Sequence, residues 1–193
     1  DLIIWSINTP LGKKWQKGVS ICKRYSPDFI IILGSDDILT LKYIETAEKY
    51  VNQGYELVSL KDWCIYNTEN NKLYNCKYKR SKSIGAGRII SKKILDRINW
   101  KLFPIDKNKT LDYYSMLNLE KGLVKKISVS DEELIVLSIK GPWACINKIS
   151  TIINLKRYIK SDIINNVSKF FDKYNLLEDI NSLLKKINRN YNT

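Results

Sequence analysis

A continuous apolar run that ends in two adjacent carboxylates is the feature that most constrains the fold of this chain. The segment PDFIIILG (27–34) has the length of a β-strand and is followed by Ser35, Asp36 and Asp37. Uninterrupted apolar runs of this length suit a central strand of a parallel sheet, which is covered on both faces. Parallel sheets bind ligands beyond the carboxyl ends of their strands. The two carboxylates are therefore expected at a ligand-binding edge.

The rest of the sequence alternates between strand-like and helical patterns, which predicts an α/β fold. Helix 40–54 is the clearest element, because Thr40 can cap its start and Gly54 can end it. A hairpin is predicted around the turn TENN (68–71). The other expected helices are 10–26, 91–98 and 111–122, and the expected strands are 2–8, 55–60, 62–67, 72–78 and 133–141.

The length of 193 residues fits one domain with an appended tail. We expect residues 147–190 to be helical and to cover the sheet, because apolar residues recur at Ile152, Leu155, Ile159, Ile163 and Val167. No apolar window reaches the roughly 18 residues that a membrane span needs, so none is predicted. The chain opens at Asp1 on a strand-like segment, which suggests a piece of a longer protein.

The composition excludes several kinds of chemistry. The chain has no histidine, which removes Ser-His and Cys-His nucleophile pairs. Acid–base catalysis would have to use carboxylates, Lys or Tyr. The four cysteines are widely spaced and form no CxxC motif, so free buried thiols are a better interpretation than a zinc site. They are Cys22, Cys64, Cys76 and Cys145.

The net charge of +13 is unevenly distributed. Residues 72–101 carry ten Lys and Arg residues and one acid, Asp96. Such a stretch indicates either an anionic partner or a solvated lysine-rich surface. Tyr74 and Tyr78 lie within it and could stack on bases, which leaves a nucleic-acid-binding module open as an alternative.

The carboxylate pair has two interpretations of its own. Mg²⁺ and Mn²⁺ prefer oxygen ligands and often bridge one or two carboxylates to a substrate phosphate. Asp36 or Asp37 could instead cap the helix that follows.

The segment GSDD (34–37) resembles the DxD-type motif of GT-A fold glycosyltransferases, in particular family-2-like enzymes. Upstream, a similar arrangement of Asn, Gly and basic residues is found at Asn8, Gly12, Lys13, Lys14, Lys17 and Gly18. Three further segments look like those of a subgroup from phages and large DNA viruses: SIGAGRIISKKILDRINW (83–100), TLDYYSM (110–116) and LSIKGPWACINKI (137–149). The resemblance covers roughly residues 3–150.

The resemblance implies a fold and a division of the chain. The fold would be a GT-A (Rossmann-like) mixed sheet flanked by helices, with a C-terminal helical tail. Residues 1–150 would form the GT-A-like domain, opening near the family's third strand, and 151–193 the extension. The family's Gln/Arg-rich motif near the C-terminus is not evident in the sequence.

The resemblance also implies roles for individual residues. Asp37 would bind the metal, and Asp36 the metal or the sugar-nucleotide. Asp112 would be the catalytic base. The donor-side residues would be Lys13, a backbone wall of Gly85, Ala86 and Gly87, and the cations Arg88 and Lys140, which could pair with phosphate or acceptor. Taken without the resemblance, the same residues are a glycine turn, surface cations and a carboxylate favoured by a helix dipole.

The implied reaction is sugar transfer from a nucleotide-sugar, with a UDP-sugar expected, to the hydroxyl of a glycan or other acceptor. Mn²⁺ or Mg²⁺ would assist, and the expected location is the cytoplasm, of a host cell if the protein is viral. A nucleotidyltransferase is the alternative enzyme, and it would need a third carboxylate in the same cluster.

Overall fold

The computed structural model describes residues 6–7, 9–79, 84–120, 126–129, 135–142 and 159–191. Its helices are α1 (Leu11–Cys22), a short 3-10 turn (Lys23–Tyr25), α2 (Leu41–Asn52), α3 (Lys92–Arg97), α4 (Leu111–Glu120), α5 (Val167–Lys173) and α6 (Leu177–Tyr191). Its strands are β1 (Phe29–Ile32), β2 (Asp37–Leu39), β3 (Leu57–Leu60), β4 (Asp62–Asn67), β5 (Lys72–Tyr78), β6 (Arg88–Ser91), β7 (Lys126–Val129), β8 (Val136–Lys140) and β9 (Ile159–Ile164).

The strands form two open mixed sheets. The first has the order β1-β6-β3-β7, in which only β3 and β7 are parallel. The second has the order β2-β8-β4-β5-β9, in which only β4 and β8 are parallel. The prediction of a mixed α/β fold with sheets flanked by helices is confirmed at this level.

Strand alternation sorts the apolar side chains into three layers of core. In β4, Ile65 lies in the cluster between the two sheets, while Cys64 and Tyr66 lie on the opposite face. Helix α2 inserts Tyr43 and Ala47 into the middle cluster. The outer face of the first sheet is covered by α1, α3 and α4, and the outer face of the second by α5 and α6.

The expected parallel pairing of β1 is wrong. This strand runs antiparallel to β6, its only partner within the described residues. Its apolar run has another cause: Ile30 packs into the cluster under α1, whereas Phe29 and Ile31 pack against the cluster between the sheets. Each face of β1 is covered by a different layer of the core, so both faces must be apolar whether the neighbouring strands are parallel or antiparallel.

The C-terminal region is only partly helical. Residues 159–164, expected to be helical, form β9, which pairs antiparallel with β5 from Ile159–Tyr78 to Ile164–Leu73. The helices α5 and α6 follow, and the side chain of Asn166 caps α5 by accepting a hydrogen bond from Lys169 N–H at 2.9 Å. They cover the sheet as expected, burying Phe171, Leu176 and Ile180. The predicted boundary after residue 150 lies outside the described residues.

The other predicted elements that the structure describes are confirmed, with ends that differ by a few residues. Of strand 2–8 the structure describes only residues 6 and 7, and it does not describe residues 147–158. Among the helices described here, none combines the length and the apolar character that a membrane crossing requires.

Candidate active site

The turn after β1 carries the carboxylate pair and requires a glycine. Gly34 N–H donates to Asp37 Oδ2 at 3.0 Å, and Asp37 N–H donates to the Gly34 carbonyl at 3.2 Å. A Cβ on Gly34 would stand 2.6 Å from Asp37 Oδ2 and 2.9 Å from Asp36 Oδ1. Both carboxylates therefore lie against the backbone of this turn, and a side chain at residue 34 would push them away.

Strand β8 supplies the partners of both carboxylates. Asp37 pairs in register with Ser138, whose hydroxyl donates to Asp37 Oδ1. The Ile139 N–H donates to the Asp36 carbonyl at 2.7 Å, and the Lys140 ammonium donates to Asp36 Oδ2. The structure thus brings together Asp36, Asp37 and Lys140, which the sequence nominated separately.

Ser138 is a member of this group that sequence reasoning missed. The signal was present in the alternation of β8, because residues 138 and 140 must share a face while Leu137 and Ile139 enter the core on the other. Lys140 is not the surface cation of the alternative interpretation, since its side chain is only 9% exposed, against 34% for Asp36.

The electrostatics of the group favour a cationic ligand. Burial raises the pKa of the Asp37 carboxyl, and the neighbouring negative charge of Asp36 adds to this; Ser138, Lys140 and the Gly34 N–H act in the opposite direction. Two carboxylates face one ammonium, so the group carries surplus negative charge when both are ionised.

The donor atoms suit Mg²⁺ or Mn²⁺, which bind carboxylate oxygens and can take their remaining ligands from water and substrate phosphates. Within the described residues, no group of three or more His, Cys, Asp or Glu side chains could hold a metal. A divalent cation at Asp36 and Asp37 would therefore depend on oxygens that a bound ligand or water supplies.

The glycine loop 85–87 forms the second part of the site. Gly87 has φ +73°, and a Cβ there would stand 2.7 Å from Val136 Cγ2. Gly87 N–H donates to the Ile32 carbonyl at 2.7 Å, while the Tyr43 hydroxyl donates to the Gly87 carbonyl. These bonds fasten the loop to the end of β1, immediately before the turn that carries the carboxylate pair.

Asp112 lies against this loop. It is an exposed residue in the first turn of α4, and its carboxylate touches Gly85 so closely that a Cβ there would overlap it. The loop, whose Ala86 is half-buried, thus contacts Asp112 at Gly85 and the end of β1 at Gly87. The carboxylate pair follows β1 in the chain.

Arg88 is buried and faces α4. It is 3% exposed, and its Nη1 donates to Ser115 Oγ at 2.8 Å and to the Asp112 carbonyl at 3.4 Å. Burial lowers the pKa of Arg88, whereas electrostatic interactions with Asp112, Tyr78 and Tyr43 raise it. Its Nε has no hydrogen-bond partner among the described residues. Arg88 is therefore not the surface cation of the alternative interpretation: it fastens β6 to the first turn of α4.

Lys13 has no described contact with Asp112 or with the carboxylate pair. It is exposed near the start of α1. The start of α1 is docked elsewhere: Gly12 N–H donates to the Lys107 carbonyl at 2.8 Å, and Leu11 N–H donates to Asn108 Oδ1 at 2.9 Å. A Cβ on Gly12 would overlap the Pro104 carbonyl, which explains the glycine by packing.

Four of the ten cations in the basic stretch 72–101 form ion pairs within the described part of the fold. Lys77 pairs with Asp62 and Lys92 pairs with Asp96, while Lys93 and Arg97 both pair with the buried Glu56. Tyr74 and Tyr78, expected as base-stacking residues, are half-buried against the core, with the Tyr78 ring 5.3 Å from that of Trp63. Among the described residues of this stretch, neither tyrosine is fully exposed for stacking on a base.

Three cysteines carry free thiols. Cys64 and Cys76 are buried, as predicted, and Cys22 is half-buried; Cys145 lies outside the described residues.

No protein-family model, curated protein or solved structure matches this chain. The chain is a mixed α/β protein in which a glycine loop contacts Asp112 and is hydrogen-bonded to the strand that leads to Asp36 and Asp37.

Proposed function

We propose that this chain is a GT-A-like glycosyltransferase domain that moves a sugar from a nucleotide-sugar to an acceptor hydroxyl. The observation that supports it best is that a half-buried, lysine-paired carboxylate pair follows the strand to which the glycine loop is hydrogen-bonded, while the exposed Asp112 lies against the same loop. A transferase needs these two functions close together: charge stabilisation for a departing diphosphate and a base for the acceptor.

The donor would bind beside Asp36 and Asp37. These two carboxylates would hold Mn²⁺ or Mg²⁺, which, when bound, neutralises charge on the departing diphosphate. Lys140 adds a buried cation at the same place, and the backbone of residues 85–87 would form a wall near the sugar. A UDP-sugar remains the expected donor, and the cytoplasm the expected location.

The acceptor would bind on the Asp112 side of the loop. In an inverting transfer, the acceptor oxygen forms a bond to the anomeric carbon while the bond to the diphosphate oxygen breaks and its electron pair leaves with the nucleotide. Asp112 takes the proton of the acceptor hydroxyl. The transition state has oxocarbenium character, as in glycoside hydrolysis.

A product assay tests this proposal against a nucleotidyltransferase. The chain is incubated with UDP-, GDP- or dTDP-sugars, Mn²⁺ and a panel of simple sugar acceptors, and the nucleotide products are separated. A free nucleoside diphosphate together with a glycosylated acceptor supports the proposal, whereas pyrophosphate indicates nucleotidyl transfer. Formation of neither product by the folded chain counts against it.

Two variants with matched controls assign the residues. Asp37→Ala should abolish transfer while the chain stays folded, and Asp62→Ala, which also changes the first residue of a strand, should retain it. Asp112→Asn should lose transfer but keep donor binding. Asp179→Asn alters a first-turn carboxylate of α6 and should behave as wild type. Full activity of Asp37→Ala or Asp112→Asn would exclude the role given to that residue.

A further inference from the structure

We propose that the Lys140 ammonium holds the place of a cation at Asp36 in the ligand-free protein and leaves it when a diphosphate binds. This inference rests on the proposed function. It adds that the metal and the nucleotide bind with positive coupling, because each helps to move the Lys140 side chain.

The contacts show a lysine bound to one of the two carboxylates that would hold the metal. The Lys140 ammonium donates directly to Asp36 Oδ2, while both oxygens of Asp37 already accept hydrogen bonds, from Ser138 and from Gly34 N–H. The other oxygen of Asp36 lies near the backbone of Gly34. A divalent cation approaching the pair therefore meets the ammonium at the more exposed carboxylate.

Lys140 and a metal cannot share this carboxylate without strong repulsion. Like charges a few ångströms apart repel strongly where water is partly excluded, and the lysine side chain is 9% exposed. The ammonium must therefore move away as the metal binds. Without a new partner, moving it leaves a poorly solvated charge unpaired, so the metal alone should bind weakly.

The proposed movement involves the side chain and not the strand. The backbone of Lys140 is held at the end of β8, where it pairs in register with Asn67 and its carbonyl accepts from Thr68 N–H at 2.9 Å. The lysine stem is flexible and its ammonium has three donors, so it can turn from Asp36 to a phosphate oxygen. A diphosphate beside the metal provides that new partner.

Mn²⁺ binding tests the exchange without relying on activity. Binding is measured by electron paramagnetic resonance of free Mn²⁺, with and without UDP, and corrected for Mn²⁺ bound by UDP in protein-free solution. Wild type should bind Mn²⁺ weakly alone and more tightly with UDP. Lys140→Met should bind Mn²⁺ alone more tightly by about 5- to 150-fold, the usual range of coupling between sites, and should lose most of the UDP effect. Lys92→Met, which removes a lysine paired with Asp96 in α3, should match wild type.

The outcomes separate this inference from the proposed function. If Lys140→Met and wild type bind Mn²⁺ equally, with the same UDP effect, the exchange is wrong while the metal site stands. If wild type binds UDP equally well without Mn²⁺ and Lys140→Met does not bind it, Lys140 is the resident cation and the exchange is overturned. If none of the variants binds Mn²⁺ even with UDP, the metal role in the proposed function falls as well.

Discussion

The carboxylate of Asp112 lies directly against Gly85, in the space a Cβ of residue 85 would occupy. The proposed base can take this position because residue 85 is a glycine. The same loop is fastened to β1 by the hydrogen bond from Gly87 N–H to the Ile32 carbonyl. The glycine loop thus links the two acidic groups of the site.

Gly85→Ala should reduce transfer without unfolding the chain. The added methyl group meets the end of a flexible side chain, so the Asp112 carboxylate moves instead of the backbone. A displacement of about 1 Å at a catalytic group can cost about 100-fold in rate. Steady-state transfer should fall by that order while UDP binding is kept. Gly18→Ala is the control, because a Cβ there meets nothing within 4 Å; equal rates for both variants would contradict the prediction.

Arg88→Met should destabilise the fold. The change removes the buried charge that bonds to Ser115, and hydrogen bonds to charged groups contribute about 1.5–3 kcal/mol. Urea unfolding should show a loss of free energy in that range. Arg88→Lys should not restore it fully, because an ammonium lacks the planar fork of the guanidinium. A methionine variant as stable as wild type would show that the Arg88–Ser115 contact contributes nothing.

Phe171→Ala should show that the C-terminal helices belong to the folded core. Phe171 is 4% exposed, and its ring lies edge-on to that of Tyr66 at 5.1 Å. Removing a buried phenylalanine costs about 3–5 kcal/mol of unfolding free energy. The half-buried neighbour Phe170 provides the control, whose truncation should cost clearly less. Identical urea midpoints for the two variants would count against the packing of α5 on the second sheet.

Cys64 and Cys76 should resist alkylation in the native state. Burial raises the pKa of each thiol to about 12, so almost no reactive thiolate is present at pH 8. Iodoacetamide should modify Cys22 first and reach the two buried thiols only in denaturant. Peptide mass spectrometry after timed labelling measures this, and native labelling of Cys64 as fast as Cys22 would refute it.

Sequence reasoning succeeded where the deciding interactions are local. The β4–β5 hairpin follows from the turn TENN between two β-prone runs, and the end of α2 from Gly54, which takes φ +82°. It failed for the direction in which β1 pairs and for the strand β9, where a helix was predicted. An apolar run does not show whether the neighbouring strands are parallel or antiparallel to it. The apolar spacing at Ile159 and Ile163 fits a helix, but in the fold this segment pairs with the edge of β5.

The site divides in the same way. That Asp36 and Asp37 follow an apolar strand through a glycine turn is readable from the sequence, because the arrangement lies within ten residues. Their contacts with Lys140 and Ser138 depend on the fold, since the β2–β8 pairing brings together residues about a hundred positions apart. The burial of Arg88 against α4 depends on tertiary packing in the same way. Contacts of this range depend on sheet register and layer packing, which no local pattern specifies.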